Sequence, residues 1–391
     1  MPRLRHRRRA TGHATRQLDP RRVTPARLNR SVAPQQNWVG RESVANSYRG
    51  SIGHARGWQA PRTVDGVLFE PVAAELSFGN AGNDLVGDFV RPPWPGPYPA
   101  VVFVEGSGPG GRNQGSWQTR LAAAGFASLA YDKPGSGAST GDWTRQTMAD
   151  RAEETVAAVQ AVRSREDVLS DAIALVGGSQ GGWVAHLAAS ADARIAAVVT
   201  VSGPGVSVRA QEEYRLRRQL AAEGFSSADI QQAVALQRDQ VQRVQSGDDP
   251  ARVHAAQTRW HAAPWYPLLA GTTPQSIAFI AGIADYDPAS ALAALRCPLL
   301  AIFGADDLLV PVAASVRAIS STLKDARHAD HAIVVFPHAD HNIRVYTGTG
   351  AARVSQGHYT PAERAPGFDE LIVTWLQRRL PLEPGLLVGQ S

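Results

Sequence analysis

Apolar positions along this chain fall into two rhythms. Short runs in which nearly every position is apolar occur at 100–104 (AVVFV), 127–132 (ASLAYD), 172–177 (AIALVG), 195–203 (IAAVVTVSG), 297–304 (CPLLAIFG) and 332–337 (AIVVFP). Runs of this length without polar alternation predict strands covered on both faces, as in a parallel sheet. Between them the spacing turns helical. In 147–162, Met148, Ala152, Val156, Val159 and Val162 recur near one helix face. GWVAHLAAS opens a helix directly after the third run, and FDELIVTWLQRRL (368–380) forms a last amphipathic one. Upstream, AELSF (74–78) and LVGDFV (85–90) flank the turn residues AGND and predict a pair of antiparallel strands, joined to the series by the stiff connector RPPWPGPYP (91–99). Strands alternating with helices predict an α/β fold, a mostly parallel central sheet with helices on both faces.

Two stretches leave this pattern. Residues 204–287 read as helices rich in Gln, Arg and Ala, with Trp260, Trp265 and Tyr266 near their end. Lying between two core strands, they predict a helical cap inserted over one end of the sheet. Residues 1–62 show no strand or helix rhythm and are expected to be a disordered Arg-rich tail. The expected organisation is therefore a tail (1–62), a first part of the core (63–203), the cap insertion (204–287) and a second part of the core (288–391). There is no internal repeat.

Charge sharpens that division. The formal net charge is +5, but residues 1–62 hold 14 Arg against two acids, Asp19 and Glu42, a net of +12. The remaining chain has 26 basic and 33 acidic residues, a net of −7, and so offers no broad basic footprint for nucleic acid. Lys133 and Lys324 are the only lysines against 38 Arg, which reads as coding bias. Cys297 is the only cysteine, which excludes an intrachain disulfide or a site of two or more thiolates; its setting, RCPLLAIFG, predicts a buried thiol. No apolar run approaches the roughly 18 residues that span a bilayer. RHRRRATGHATRQ has the charge of a signal n-region with no apolar segment behind it, so a cytoplasmic location is expected.

Two glycine motifs bid for the chemistry. After the first run, Gly106, Gly108 and Gly111 spell G-x-G-x-x-G, and Asp132 follows 21 residues later, as in a dinucleotide fingerprint. That reading requires a helix to start inside the glycines, and here Pro109 and GRNQGS continue a loop. The second motif, Gly177-Gly178-Ser179-Gln180-Gly181, is G-x-S-x-G between a strand and a helix, the setting of a nucleophile elbow. A serine needs a base to take its proton, and the base an anion to orient it. His341, just past the last strand, and Asp307, in GADDLLVP after the strand before it, supply both; the spacing from Gly304 to Pro311 favours Asp307 over Asp306. The repeated HADH around 328–341 suggests a metal centre instead. Its ligands would have to come from both ends of one strand about 17 Å long, so no metal is expected.

EGSGPGGRN, YDKPGSGAST, GGSQGGW, GADDLLVP and PHADHN, in this order and approximate spacing, resemble the α/β-hydrolase superfamily. More narrowly they resemble bacterial esterases with a GSGP loop, grouped with serine aminopeptidase-like and acyl-thioesterase-like hydrolases. The resemblance covers residues 74–380. It implies a carboxylic-ester hydrolase with a helical cap and no cofactor, a structural turn at Asp132, and a glycine loop that faces the elbow. Ser179, Asp307 and His341 then form the catalytic set, and the N–H groups of Gln180 and Ser107 are the expected oxyanion donors. Gly108, which is also the alternative donor, Arg112, Trp260, Trp265 and Tyr266 are candidate substrate contacts. Arg112 has a second reading as a brace for its own loop, paired with Glu105, and the three aromatics a second reading as cap packing. The chain departs from the family pattern at Glu105 and Gly178, where His is usual, and at His338, where Gly is usual. Thioester hydrolysis or acyl transfer on the same residues is the alternative activity, and a non-catalytic small-molecule binder the alternative class.

Overall fold

The computed structural model describes residues 70–346 and 362–382; the expected tail at 1–62 lies outside the described residues. The chain opens with β1 (Val72–Asn80) and β2 (Asn83–Arg91), paired antiparallel around Ala81 and Gly82. Both turn residues have positive φ, 49° and 78°, the geometry that matches a two-residue turn to strand twist. The series continues with β3 (Tyr98–Val104), β4 (Ala127–Tyr131), β5 (Val168–Gly178), β6 (Ala197–Val201), β7 (Leu299–Gly304) and β8 (His331–Phe336). They form one eight-stranded sheet in the order β1-β2-β4-β3-β5-β6-β7-β8. β2 pairs antiparallel with β4, and every pairing from β4 to β8 is parallel.

The wholly apolar runs are explained by two separate cores. Along β3, Ala100, Val102 and Val104 face one core while Val101 and Phe103 face the other, the period-two alternation of a strand. The first core is closed by α2 (Met148–Arg163), α3 (Gln180–Ala191), α8 (Ala289–Ala294) and α9 (Val312–Asp325). The second is closed by α1 (Trp117–Ala123) and α10 (Phe368–Gln377). Thr147 begins α2 with a reciprocal capping box to Asp150. A small separate sheet pairs β9 (Arg344–Tyr346) with β10 (Ala362–Arg364).

Between β6 and β7 come α4 (Val208–Ala222), α5 (Ser227–Gln245), α6 (Pro250–Ala255) and α7 (Pro274–Ile283). These helices have a core of their own, in which Leu216, Leu220, Val234, Trp265, Tyr266 and Leu269 pack together. They meet the loops at the carboxyl ends of the strands. Gln211 donates to the Leu309 carbonyl at 2.8 Å, and Gln275 donates to the Thr144 hydroxyl at 2.8 Å. Among the described residues no helix is long and apolar enough to cross a membrane.

Candidate active site

The turn between β5 and α3 consists of Ser179, at φ 52° and ψ −123°. A non-glycine residue held there is strained, and the strain persists because the surroundings fix the turn. Its N–H donates to the Val201 carbonyl at 2.8 Å, and its carbonyl accepts from Gly182 at 2.9 Å. The neighbouring glycines are dictated by close approach. A Cβ on Gly181 would lie 2.0 Å from the Val104 carbonyl oxygen, and one on Gly177 would lie 2.3 Å from that of Gly181. At Gly178 nothing lies within 4 Å of an added Cβ.

Asp307 sits in the loop after β7 with its side chain fully enclosed. One carboxyl oxygen accepts the N–H groups of Leu309 and Val310 at 2.7 and 3.0 Å, and the other lies 2.8 Å from His341 Nδ1. An oxygen acceptor there places the ring proton on Nδ1 and leaves Nε2 as an acceptor. The two loops interlock: the Asp306 N–H donates to the Ala339 carbonyl at 2.9 Å, and a Cβ on Gly304 would lie 2.1 Å from the Asp340 carbonyl oxygen. Of the two adjacent acids, Asp307 is the one that reaches the imidazole.

Two adjoining residues at the end of β6 tie these pieces together. Val201 holds the Ser179 N–H, and the Ser202 hydroxyl donates to the His341 carbonyl at 2.8 Å. The elbow and the histidine loop are thus anchored one residue apart. Among the described residues, no hydrogen bond joins the Ser179 hydroxyl to the His341 ring; the bond the ring makes is to Asp307.

The loop after β3 faces the elbow. A Cβ on Gly106 would lie 3.2 Å from the Gly178 carbonyl oxygen and 3.3 Å from Ser179 Cβ. Ser107 is exposed, Gly108 has φ 85°, and Gln180 is buried at the start of α3. α1 begins only at Trp117, so the glycines open no helix, and Asp132 is occupied by protein. Its carboxylate accepts the Arg112 and Ala138 N–H groups at 3.0 and 2.9 Å and the Arg112 Nε at 3.0 Å. That arrangement leaves it bound within a turn rather than facing a ribose.

Several candidate contacts take other partners. Arg112 pairs with Asp132, Glu75 and Asp88 at 3.0, 3.0 and 3.1 Å, the bracing arrangement. It does not pair with Glu105 as expected. Gln114 donates to the Glu105 carboxyl, whose pKa is pushed up by burial. Trp265 and Tyr266 are buried inside the insertion, with Trp260 5.6 Å from Trp265, which is the packing alternative. Burial pushes the Cys297 thiol up to about 11, as befits an inert core cysteine. His328 and His331 are half-buried and bonded to the carbonyls of Cys297 and His328 at 2.9 and 3.0 Å. Among the described residues no three His, Cys, Asp or Glu side chains gather as metal ligands would.

Sequence reasoning passed over Ser202, Tyr214, whose hydroxyl donates to the Asp307 carbonyl at 3.2 Å, and Lys133, whose ammonium donates to the Gly106 carbonyl at 2.9 Å. Only Lys133 left a signal, as one of two lysines in an arginine-rich chain.

No curated protein matches the sequence. Among solved structures, similarity extends to DcsB in complex with its substrate analogue (TM-score 0.52, 16% identity, 79% of this chain and 99% of that one). It extends also to the α/β hydrolase GrgF from Penicillium sp. sh18 (0.50, 17%, 79% and 99%). A Mycobacterium tuberculosis puromycin-hydrolyzing peptidase is similar over 80% of this chain and 40% of its own (0.50, 19%). At these identities the likeness is one of fold. The α/β hydrolase fold family model matches residues 99–344, the span from β3 through the loop that carries His341, and the chain belongs to that family.

Proposed function

We propose that this protein is a serine hydrolase of carboxylic esters acting through an acyl-enzyme. Ser179 Oγ attacks the ester carbonyl while His341 Nε2 takes its proton. Asp307 holds the imidazole in the required tautomer and stabilises the imidazolium. The Gln180 and Ser107 N–H groups receive the developing oxyanion. His341 then protonates the departing alcohol and activates the water that releases the acid. Helices α4 to α7 act as a cap over the carboxyl ends of the strands.

The observation that carries this reading is the enclosed Asp307–His341 pair, tied through Ser202 to the strand end that also holds the Ser179 elbow. An enclosed carboxylate that accepts two backbone N–H groups and one imidazole is a costly arrangement for stability alone and an apt one for orienting a base. The cap reading is supported by Tyr214 and Gln211 of α4, which bond the Asp307 and Leu309 carbonyls within the Asp307 loop.

A panel of aryl esters, acyl-CoA thioesters and aminoacyl amides, turned over by the full chain and by Ser179→Ala, tests the proposal. Aryl ester turnover is expected to dominate, and the variant is expected to lose about 10⁴-fold or more in kcat. Preference for thioesters would move the activity within the same machinery. A variant as active as the parent would end the serine reading.

A further inference from the structure

Behind the glycine loop lies a cluster of charged side chains that the proposed reaction does not use. Lys133, Arg151 and Glu154 are all buried, Lys133 and Glu154 completely. Glu154 accepts from Gln146 at 2.7 Å and lies 3.6 Å from Arg151 Nε. The two cations turn toward the loop backbone. Arg151 Nη2 donates to the Glu105 carbonyl at 3.1 Å, and Lys133 Nζ donates to the next carbonyl, that of Gly106, at 2.9 Å. The Lys133 ammonium also lies 4.6 Å from the Trp143 ring centroid, and Trp143 packs edge-on against Phe279 of α7 at 5.1 Å. Desolvation, joined by the neighbouring Arg151 charge, pushes the Lys133 pKa well down, so burying this amine is unfavourable in itself.

The geometry of one peptide gives that burial a purpose. A trans peptide is planar and sets its N–H opposite its carbonyl. The carbonyl held by Lys133 belongs to the same peptide plane as the Ser107 N–H, so gripping one aims the other away from the lysine. The Gly106 Cα stands against Ser179. We infer that Lys133 is a positioning residue, holding the Gly106 carbonyl so that the Ser107 N–H meets the oxyanion formed when Ser179 attacks an ester. This rests on the hydrolase reading above. Arg151 acts alike on the preceding peptide, and Trp143, seated by α7, walls the lysine in.

A residue that aims an oxyanion donor must affect the transition state more than the ground state. The test uses the full chain with p-nitrophenyl butyrate as substrate and an alkyl trifluoromethyl ketone as inhibitor, since the ketone's hemiketal with serine carries the oxyanion. Lys133→Met is expected to lower kcat by about 10- to 100-fold, up to the loss of one oxyanion donor. KM is expected to stay within about threefold of the parent value. The ketone Ki should weaken in proportion to kcat/KM, and Lys133→Arg, which keeps a cationic donor, should restore most of both. Should circular dichroism show Lys133→Met unfolded, Lys133→Gln replaces it under the same criteria. A folded variant with unchanged kcat, or one whose kcat falls while the ketone still binds as tightly as to the parent, overturns the positioning role. Ser179→Ala run alongside separates the two failures: full activity in that variant defeats the hydrolase reading itself.

Discussion

Ser179, Asp307 and His341 are three side chains with very different dependence on their surroundings. Ser179 is defined by its own backbone, at φ 52°, and by glycines that cannot carry a Cβ. Such a turn is written locally, which is why G-x-S-x-G between a strand and a helix was legible. Asp307 is defined by its carboxyl partners, two N–H groups ahead in its own loop and an imidazole 34 residues away. Gly304 and Pro311 flank Asp307, the spacing by which the sequence favours it over Asp306. Asp307→Asn is expected to lower kcat by about 10⁴-fold, since an amide would favour the wrong imidazole tautomer. Asp306→Asn should stay near the parent, and kcat measured on both variants checks the assignment. The roles of Lys133 and Ser202 were not legible, because each acts across the fold on a backbone carbonyl far away in sequence. At Cys297 the raised pKa predicts that the native thiol resists a disulfide-exchange reagent at pH 8 and reacts promptly once the chain is unfolded in denaturant, a difference read directly by absorbance.

Among the elements, β6 carries the most consequence for its length. Its last residue accepts the elbow N–H, and the next residue, Ser202, at φ 52°, bonds the histidine loop. Ser202→Ala removes that tie and should lower kcat by about 10-fold or more, given the sensitivity of such sites to small displacements. The stability cost should be about 1 kcal/mol, the usual worth of one hydrogen bond, measurable by urea denaturation. A larger loss of kcat than of stability distinguishes orientation from simple weakening. β3, β4, β6 and β7 were legible because a strand buried on both faces must be apolar at nearly every position, and β1 and β2 through the turn residues between them. α9 and α1 were not read from the sequence. In α9 the buried face runs through Ser315, Ile319 and Leu323. α1 has seven residues, and its Ser116 makes no side-chain cap. The three-residue strands β9 and β10 are too short for any periodicity to register.

At the scale of the whole molecule, the sheet order explains why the candidate residues gather. β3, β5, β6, β7 and β8 are consecutive neighbours, and the glycine loop, Ser179, Ser202, Asp307 and His341 follow them in turn at one edge. Alternation of strands and helices implied a parallel sheet, but the lateral order of strands is set by long-range pairing that periodicity does not encode. The separation of a basic first segment from an acidic remainder was visible in the charges alone. Acid stability is also a property of the whole fold. Burial of His186 on α3, where neither ring nitrogen has a hydrogen-bond partner, lowers its pKa from 6.5 to about 4. The unfolded chain takes up this proton below pH 6.5, while the native state refuses it until about pH 4. Stability therefore falls as pH drops through that window and levels off below it, by about 3 kcal/mol from this residue, as follows from 1.36 kcal/mol for each pH unit. Urea denaturation at stepped pH should show the decline in the parent, and His186→Leu should show a shallower one.

The central claim, that Ser179 is an activated nucleophile, is tested most directly by reaction with a fluorophosphonate followed by peptide mapping. The account predicts one adduct per chain, carried by the peptide containing Ser179, absent in Ser179→Ala and slowed about 10³-fold or more in His341→Ala, where the base is gone. A folded chain that remains unlabelled, or one labelled equally fast without His341, would contradict it.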